Sequence, residues 1–107
     1  MKIRAYIGEA TEYDKKETLE ERRPKSWLKS VSAFANGNGG VLLFGIADDD
    51  ALKGLPDVKT ASEKISEAVK SKMDPIPSIE LQIKQEEGKD FILLHVAPGA
   101  ETPYYYI

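Results

Sequence analysis

Five acidic side chains in two groups, Glu9 and Glu12 near the start and the run Asp48, Asp49 and Asp50, are the residues of this sequence best suited to holding a hard divalent cation. Carboxylate oxygens suit Mg²⁺ or Mn²⁺, and a cation held in this way activates water for attack on a phosphodiester. That chemistry requires the segment carrying Glu9 and Glu12 to lie beside the strand that runs into Asp48. The three consecutive aspartates also read as a solvated turn, the usual role of such a run after a buried strand. The absence of cysteine excludes thiolate chemistry and a cysteine-built zinc site, so a metal would rest on oxygen ligands or on His95. His95, the single histidine, sits in an apolar run, the setting of a packed or hydrogen-bonded ring more than of a ligand. No cofactor is assigned, and Mg or Mn enters only with a nuclease activity.

The second chemical group is basic. Lys15, Lys16, Arg22, Arg23, Lys25 and Lys29 flank or enter the first helical pattern and could follow a phosphate backbone, where displaced counterions supply affinity. Glu17, Glu20 and Glu21 are interleaved with them, and a salt-laced solvent face explains the same residues. The formal net charge of -3 does not by itself indicate a nucleic-acid binder. Its distribution is uneven: residues 1–36 hold eight Lys or Arg against six Asp or Glu, residues 37–60 two against four, and residues 61–107 five against eight.

Gly37, Gly39 and Gly40 offer a third candidate, since glycines let backbone amides approach an anion. A phosphate loop, however, runs from strand to helix and aims the positive helix end at the anion. Here a helix enters the turn and presents its negative end. A helix stop with close backbone packing is the better reading.

These residues must be positioned by a few elements. Trp27, Leu28, Val31, Phe34 and Ala35 form one apolar stripe at helical spacing, with Lys25 and Lys29 off it, and Asn36-Gly37-Asn38-Gly39-Gly40 ends that helix. The unbroken apolar run Val41 to Ile46 predicts a central strand covered on both faces. The acidic exit of that strand is expected next to the Glu12 segment. Residues 51–58 read as a loop, and Thr60-Ala61-Ser62-Glu63 has the spacing of a capping box opening a second helix whose buried face is Ala61, Ile65, Ala68 and Val69. Asp74-Pro75-Ile76-Pro77 stops it. Ile79, Leu81 and Ile83 then alternate as in a half-buried strand, residues 86–89 turn, and Phe91 to Val96 forms the returning strand. Tyr104 to Ile107 begins another, in which at least one ring faces solvent. Trp27 and Phe34 belong to the core rather than to a base-stacking surface.

The expected architecture is α+β: a mixed central sheet with two packed helices in the order β-α-β-α-β-β-(β), its first strand around Tyr6 and Glu12-Tyr13. A chain of 107 residues with 41% apolar and 31% charged content suits one globular domain. Because the sequence stops inside an aromatic strand signal, residues 1–107 are expected to be an N-terminal fragment of a longer protein. No secretion signal and no apolar stretch near the length of a membrane span is present, so a cytoplasmic location away from membranes is expected.

The run from Ser32 to Asp49, Ser-Ala-Phe-Ala-Asn-Gly-Asn-Gly-Gly-Val-Leu-Leu-Phe-Gly-Ile-Ala-Asp-Asp, resembles the central signature of the Schlafen-type AlbA-like domain family, also described as divergent AAA. Glu12-Tyr13-Asp14-Lys15 is similar to the family's Glu-Phe-Lys strand, Gly54 matches a glycine after its acidic turn, and Pro103-Tyr104-Tyr105 is similar to its closing Pro-x-Tyr element. The resemblance implies a DNA-binding domain of prokaryotic transcriptional regulators and helicase-related proteins, followed by further domains in the same chain. RNA is the other nucleic acid it allows, since some related members cleave RNA through a carboxylate cluster. Here Glu9 and Glu12 stand closer together than in those nucleases. The leading expectation is a nucleic-acid-binding, non-catalytic domain using the basic set. The rivals are a metal-dependent ribonuclease using Glu9, Glu12, Asp48 and Asp49, and an interaction module docking through its apolar edge and tyrosines.

Overall fold

A computed structural model of the chain describes residues 12–107. Strand β1 (Tyr13–Lys16) leads through an irregular segment into helix α1 (Lys25–Asn36), followed by strand β2 (Gly40–Phe44), helix α2 (Val58–Lys72), strand β3 (Met73–Asp74), the hairpin of β4 (Ile79–Glu86) and β5 (Lys89–Val96), and strand β6 (Tyr105–Tyr106). The main sheet has the order β1-β2-β5-β4, and β3 and β6 form a separate two-stranded ribbon. Strand β1 runs parallel to β2, whereas β2 with β5 and β5 with β4 are antiparallel. This is the expected mixed α+β sheet with two helices. The terminal tyrosine strand departs from expectation only in pairing outside the main sheet.

The apolar stripe of α1 is buried as its spacing requires: Trp27, Leu28, Val31, Phe34 and Ala35 all face the core. They pack with Ala61, Ile65 and Val69 of α2 on the sheet face formed by Leu42, Phe44, Ile92, Leu94 and Val96. The Trp27 and Phe44 rings meet edge to face with centroids 5.8 Å apart. A smaller cluster of Leu43, Ile46, Leu52, Phe91 and Leu93 covers the opposite face. Strand β2 is therefore central and dry on both sides, which explains its unbroken apolar sequence. On edge strand β4 only Ile79 and Leu81 reach the core, and Ile83 stays exposed.

The glycine turn after α1 is packed by protein. Gly39 adopts φ +84°, and a Cβ there would lie 2.7 Å from the Val96 carbonyl oxygen; one on Gly40 would lie 2.6 Å from the Phe34 ring. The Gly39 amide donates to the Phe34 carbonyl at 2.8 Å, so this stretch stops the helix and seats β2 beneath it.

The start of α2 corrects one expectation. The cap is Asp57, three residues before Thr60. Its carboxylate accepts from the Thr60 amide at 3.2 Å and from the Thr60 hydroxyl at 2.8 Å. Leu55 and Val58 pack against the core, which draws the helix start earlier than the Thr60 to Glu63 pattern suggests.

Candidate functional site

The direction of β1 decides what the acidic residues can do. Its register pairs Tyr13 with Val41 and Lys16 with Phe44, so the strand lies beside β2 as the carboxylate chemistry requires. Because the two strands are parallel, Glu12 meets the beginning of β2, its carbonyl accepting from the Val41 amide at 3.1 Å. Asp48 to Asp50 leave from the other end. The paired stretch alone places about 10 Å of strand between them. The expectation that the acidic exit lies next to Glu12 is corrected accordingly: the neighbour of that exit is the end of β1, where the Lys16 carbonyl accepts from the amides of Gly45 and Ile46 at 2.7 and 3.2 Å. Glu9 lies outside the described residues, as does Tyr6. Among the described residues, no group of three or more His, Asp or Glu is placed to hold a metal ion.

The acidic turn is also occupied by its own partners. The Lys15 amine donates to the Asp50 carboxylate and, at 3.0 Å, to the Asp48 carbonyl. The Asp49 carboxylate accepts from the Ala51 amide at 3.1 Å, closing the turn locally. Its hydrogen bond to Asp50 holds the Lys15 amine above its ordinary range, despite the opposing effect of desolvation. Lys16 stands 3.9 Å from the Asp14 carboxylate, which also accepts from the Ser30 hydroxyl at 2.6 Å. Thus Lys15 and Lys16, predicted as part of the basic set, sit on β1 engaged with acids. His95 shares a 3.0 Å hydrogen bond with the Gln82 side chain across the β4–β5 hairpin.

The other four cations of that set converge elsewhere. Arg22, Arg23, Lys25 and Lys29 line an open groove of about 620 Å³ at the start of α1. A fifth cation, Lys72, joins them from the last turn of α2, and Pro24, Leu28, Tyr106 and Ile107 supply apolar surface. No acid is among the described residues that line it. Of the interleaved glutamates, Glu20 and Glu21 line two adjoining cavities, one of about 190 Å³ beside Trp27 that Lys72 also lines and one of about 400 Å³ shared with Arg22 and Arg23, and Glu21 is 3.4 Å from the Lys64 amine. A groove of similar volume, about 610 Å³ between α2 and β4, has mixed charge, with Glu63, Glu67 and Lys70 on its walls.

Local structure reinforces the positive field of the α1 groove. No side chain caps α1 and its first turn carries no acid, so the helix dipole adds to the positive field, while the Ser26 and Trp27 amides donate to the Arg23 and Pro24 carbonyls. Lys72 is brought in because α2 ends where β3 pairs with β6: the Ile107 amide donates to the Lys72 carbonyl at 2.7 Å, and Tyr106 is in register with Met73. The segment before β6 is fixed to α1 by Asn36. The Tyr104 amide donates to the Asn36 side-chain oxygen at 2.6 Å, and the Asn36 side-chain nitrogen and Ser32 hydroxyl donate to the Tyr104 carbonyl at 3.0 and 2.7 Å. Tyr104 is buried while Tyr105 and Tyr106 are exposed, and the Lys25 amine lies 5.9 Å from the centre of the Tyr106 ring. Sequence reasoning did not find Lys72 or place Tyr106 beside the arginines. The available signal was the basic last turn of α2, which helix periodicity alone assigns to solvent.

A mixed four-stranded sheet with both helices on one face and a cationic groove at the first helix start defines the class: a small α+β module with a charged groove on its surface. The family described as Schlafen, AlbA_2 matches residues 9–107, and the chain belongs to it. Among solved structures, it is similar to the N-terminal domain of a RecG-related, helicase-like protein from Nitrosomonas europaea, with 28% identity and a TM-score of 0.62 over 84% of this chain and 63% of that one. It is also similar in fold to the DIP2311 protein from Corynebacterium diphtheriae, with 24% identity and a TM-score of 0.58 over 86% of this chain and 18% of that one. This chain therefore spans just under two thirds of the first of these chains and under a fifth of the second. No curated protein matches the sequence. No helix among the described residues is long and apolar enough to cross a membrane.

Proposed function

We propose that this chain is a nucleic-acid-binding module, with DNA the favoured ligand, and that it engages the phosphate backbone through Arg22, Arg23, Lys25, Lys29 and Lys72. One observation carries the reading: five cations from two helices and the segment before α1 share a groove without an acid among its described lining residues, in a chain whose formal net charge is -3. A like-charged cluster opposes folding by self-repulsion unless a polyanion or solvent screens it. Arginine adds two-pronged hydrogen bonding to phosphate, and the uncapped helix start adds its dipole. The likeness to the N-terminal domain of a RecG-related, helicase-like protein supports a place beside further domains in a DNA-directed protein, such as a transcriptional regulator or a helicase relative.

Fluorescence anisotropy with labelled oligonucleotides across a salt series tests the proposal. With most of the five cations contacting phosphates, the logarithm of the association constant falls against the logarithm of salt with a slope of about -3 to -4. That slope corresponds to about a hundredfold weakening between 50 and 200 mM salt. Undetectable binding at low salt, or affinity indifferent to salt, would overturn the reading.

A further inference from the structure

We infer that the occupant of the α1 groove is a single strand with unpaired bases rather than a duplex, an inference that rests on the nucleic-acid reading above. The groove joins two kinds of surface. Cations line it at Arg22, Arg23, Lys29 and Lys72, while Tyr106 and Ile107 offer apolar surface directly beside them. A duplex keeps its base faces stacked inside and shows phosphate, sugar and base edges, leaving an exposed aromatic face with no base face to cover it. A single strand offers both a charged backbone and free base faces, and base-on-aromatic stacking tolerates any sequence.

Tyr106 meets the demands of such a platform. It is 38% exposed, its backbone is paired in register with Met73, and the next amide is tied to Lys72. The Asn36 clamp on Tyr104 holds the preceding residues against α1, so little backbone freedom is lost on binding. The Lys25 amine lies over one face of the ring, 5.9 Å from its centre, so a base stacks on the other face with a cation close by for its phosphate. Tyr105, on the other side of the ribbon, is exposed but does not line the groove, and it supplies an internal control.

The test is a set of anisotropy titrations of the full chain at low salt, using oligo-dT, oligo-U of equal length and a DNA duplex of equal length. The inference predicts tighter binding of the single strands than of the duplex. Tyr106→Ala should weaken single-strand binding about tenfold, within the range alanine substitution of stacking aromatics gives, and leave duplex binding unchanged. Tyr106→Phe keeps the ring without the hydroxyl and should match the parent, as should Tyr105→Ala. Oligo-dT and oligo-U binding with a shared loss in Tyr106→Ala supports stacking as the common basis, and their ratio reports the preferred sugar. Equal or tighter duplex binding, or a Tyr106→Phe loss as large as that of Tyr106→Ala, overturns this inference while leaving nucleic-acid binding intact. No binding of any of the three overturns both. Matching circular dichroism spectra and thermal midpoints establish that each variant is folded.

Discussion

The two charged regions of this molecule are opposites in more than sign. At the exit of β2, Lys15 reaches Asp50 and the Asp48 carbonyl, and Asp49 closes its own turn. At the start of α1, four cations from one stretch and a fifth from α2 gather with no acid among the described residues that line their groove. The acidic residues look more like chemistry in the sequence because they are consecutive and sit where a metal ligand set could end. The fold instead ties Asp50 to Lys15 of β1 and Asp49 to the Ala51 amide of its own turn. The basic residues are scattered and interrupted by glutamates, yet the fold turns Glu21 toward Lys64 and brings five cations to one groove, with Glu20 and Glu21 lining the adjoining cavity beside Arg22 and Arg23. Acid that the fold ties into a turn serves structure, and cations gathered beside their own kind are available to a ligand.

Variants at the two regions separate these roles. The largest effect is expected from Arg22→Glu with Arg23→Glu, which puts two repulsive charges in the groove; affinity for an oligonucleotide at low salt should fall more than a hundredfold in anisotropy titrations. Asp48→Asn with Asp49→Asn should leave the same affinity within about twofold, since neither side chain lines the groove and only the screened field changes. Next in size is Asn36→Ala, which removes the two-way link to Tyr104 and should cost about 1–3 kcal/mol in urea unfolding, with weaker binding through a loosened β6. Lys72→Ala should reduce the magnitude of the salt slope by about 1 and affinity only a few-fold, while the fold stays intact.

The smallest effects are those of pH. The Asp57 carboxyl is held below its usual range by the hydroxyl and amide of Thr60. Its folded pKa is depressed, so its contribution to stability is complete above the unfolded value of about 3.9 and is lost as pH falls through the folded value. Asp57→Asn should flatten that acid limb in thermal melts while keeping a cap on α2. Lys15 works in the reverse sense: its folded pKa is raised, so its contribution is complete below the unfolded value and is lost as pH rises through the folded one. Lys15→Met should therefore change stability in the neutral range and lose that difference at strongly alkaline pH, with oligonucleotide binding nearly unchanged.

Much of this fold is legible in the sequence because burial leaves periodic traces. The stripe from Trp27 to Ala35 names the buried face of α1, and the apolar run into Phe44 names a strand covered on both sides. The direction of β1 is not legible. Four residues, Tyr13 to Lys16, pair equally well by composition in either direction, and only the parallel register sends Glu12 away from Asp48. The α2 cap is ambiguous in the sequence because Asp57-x-x-Thr60 and Thr60-x-x-Glu63 satisfy similar spacing rules, and the choice depends on tertiary packing of Leu55 and Val58. Lys72 escaped notice for a different reason: it is far from Lys29 in sequence and reaches the groove only because α2 ends against the β3–β6 ribbon.

The division between an acidic turn tied to β1 and an open basic groove is tested most directly by amide chemical-shift mapping of the ¹⁵N-labelled chain with a short oligonucleotide. The account predicts shifts concentrated at residues 22–29, at Lys72 and at Tyr106, with the amides of residues 47–51 unmoved. Shifts centred on the turn from Asp48 to Asp50, with the α1 groove silent, would contradict it.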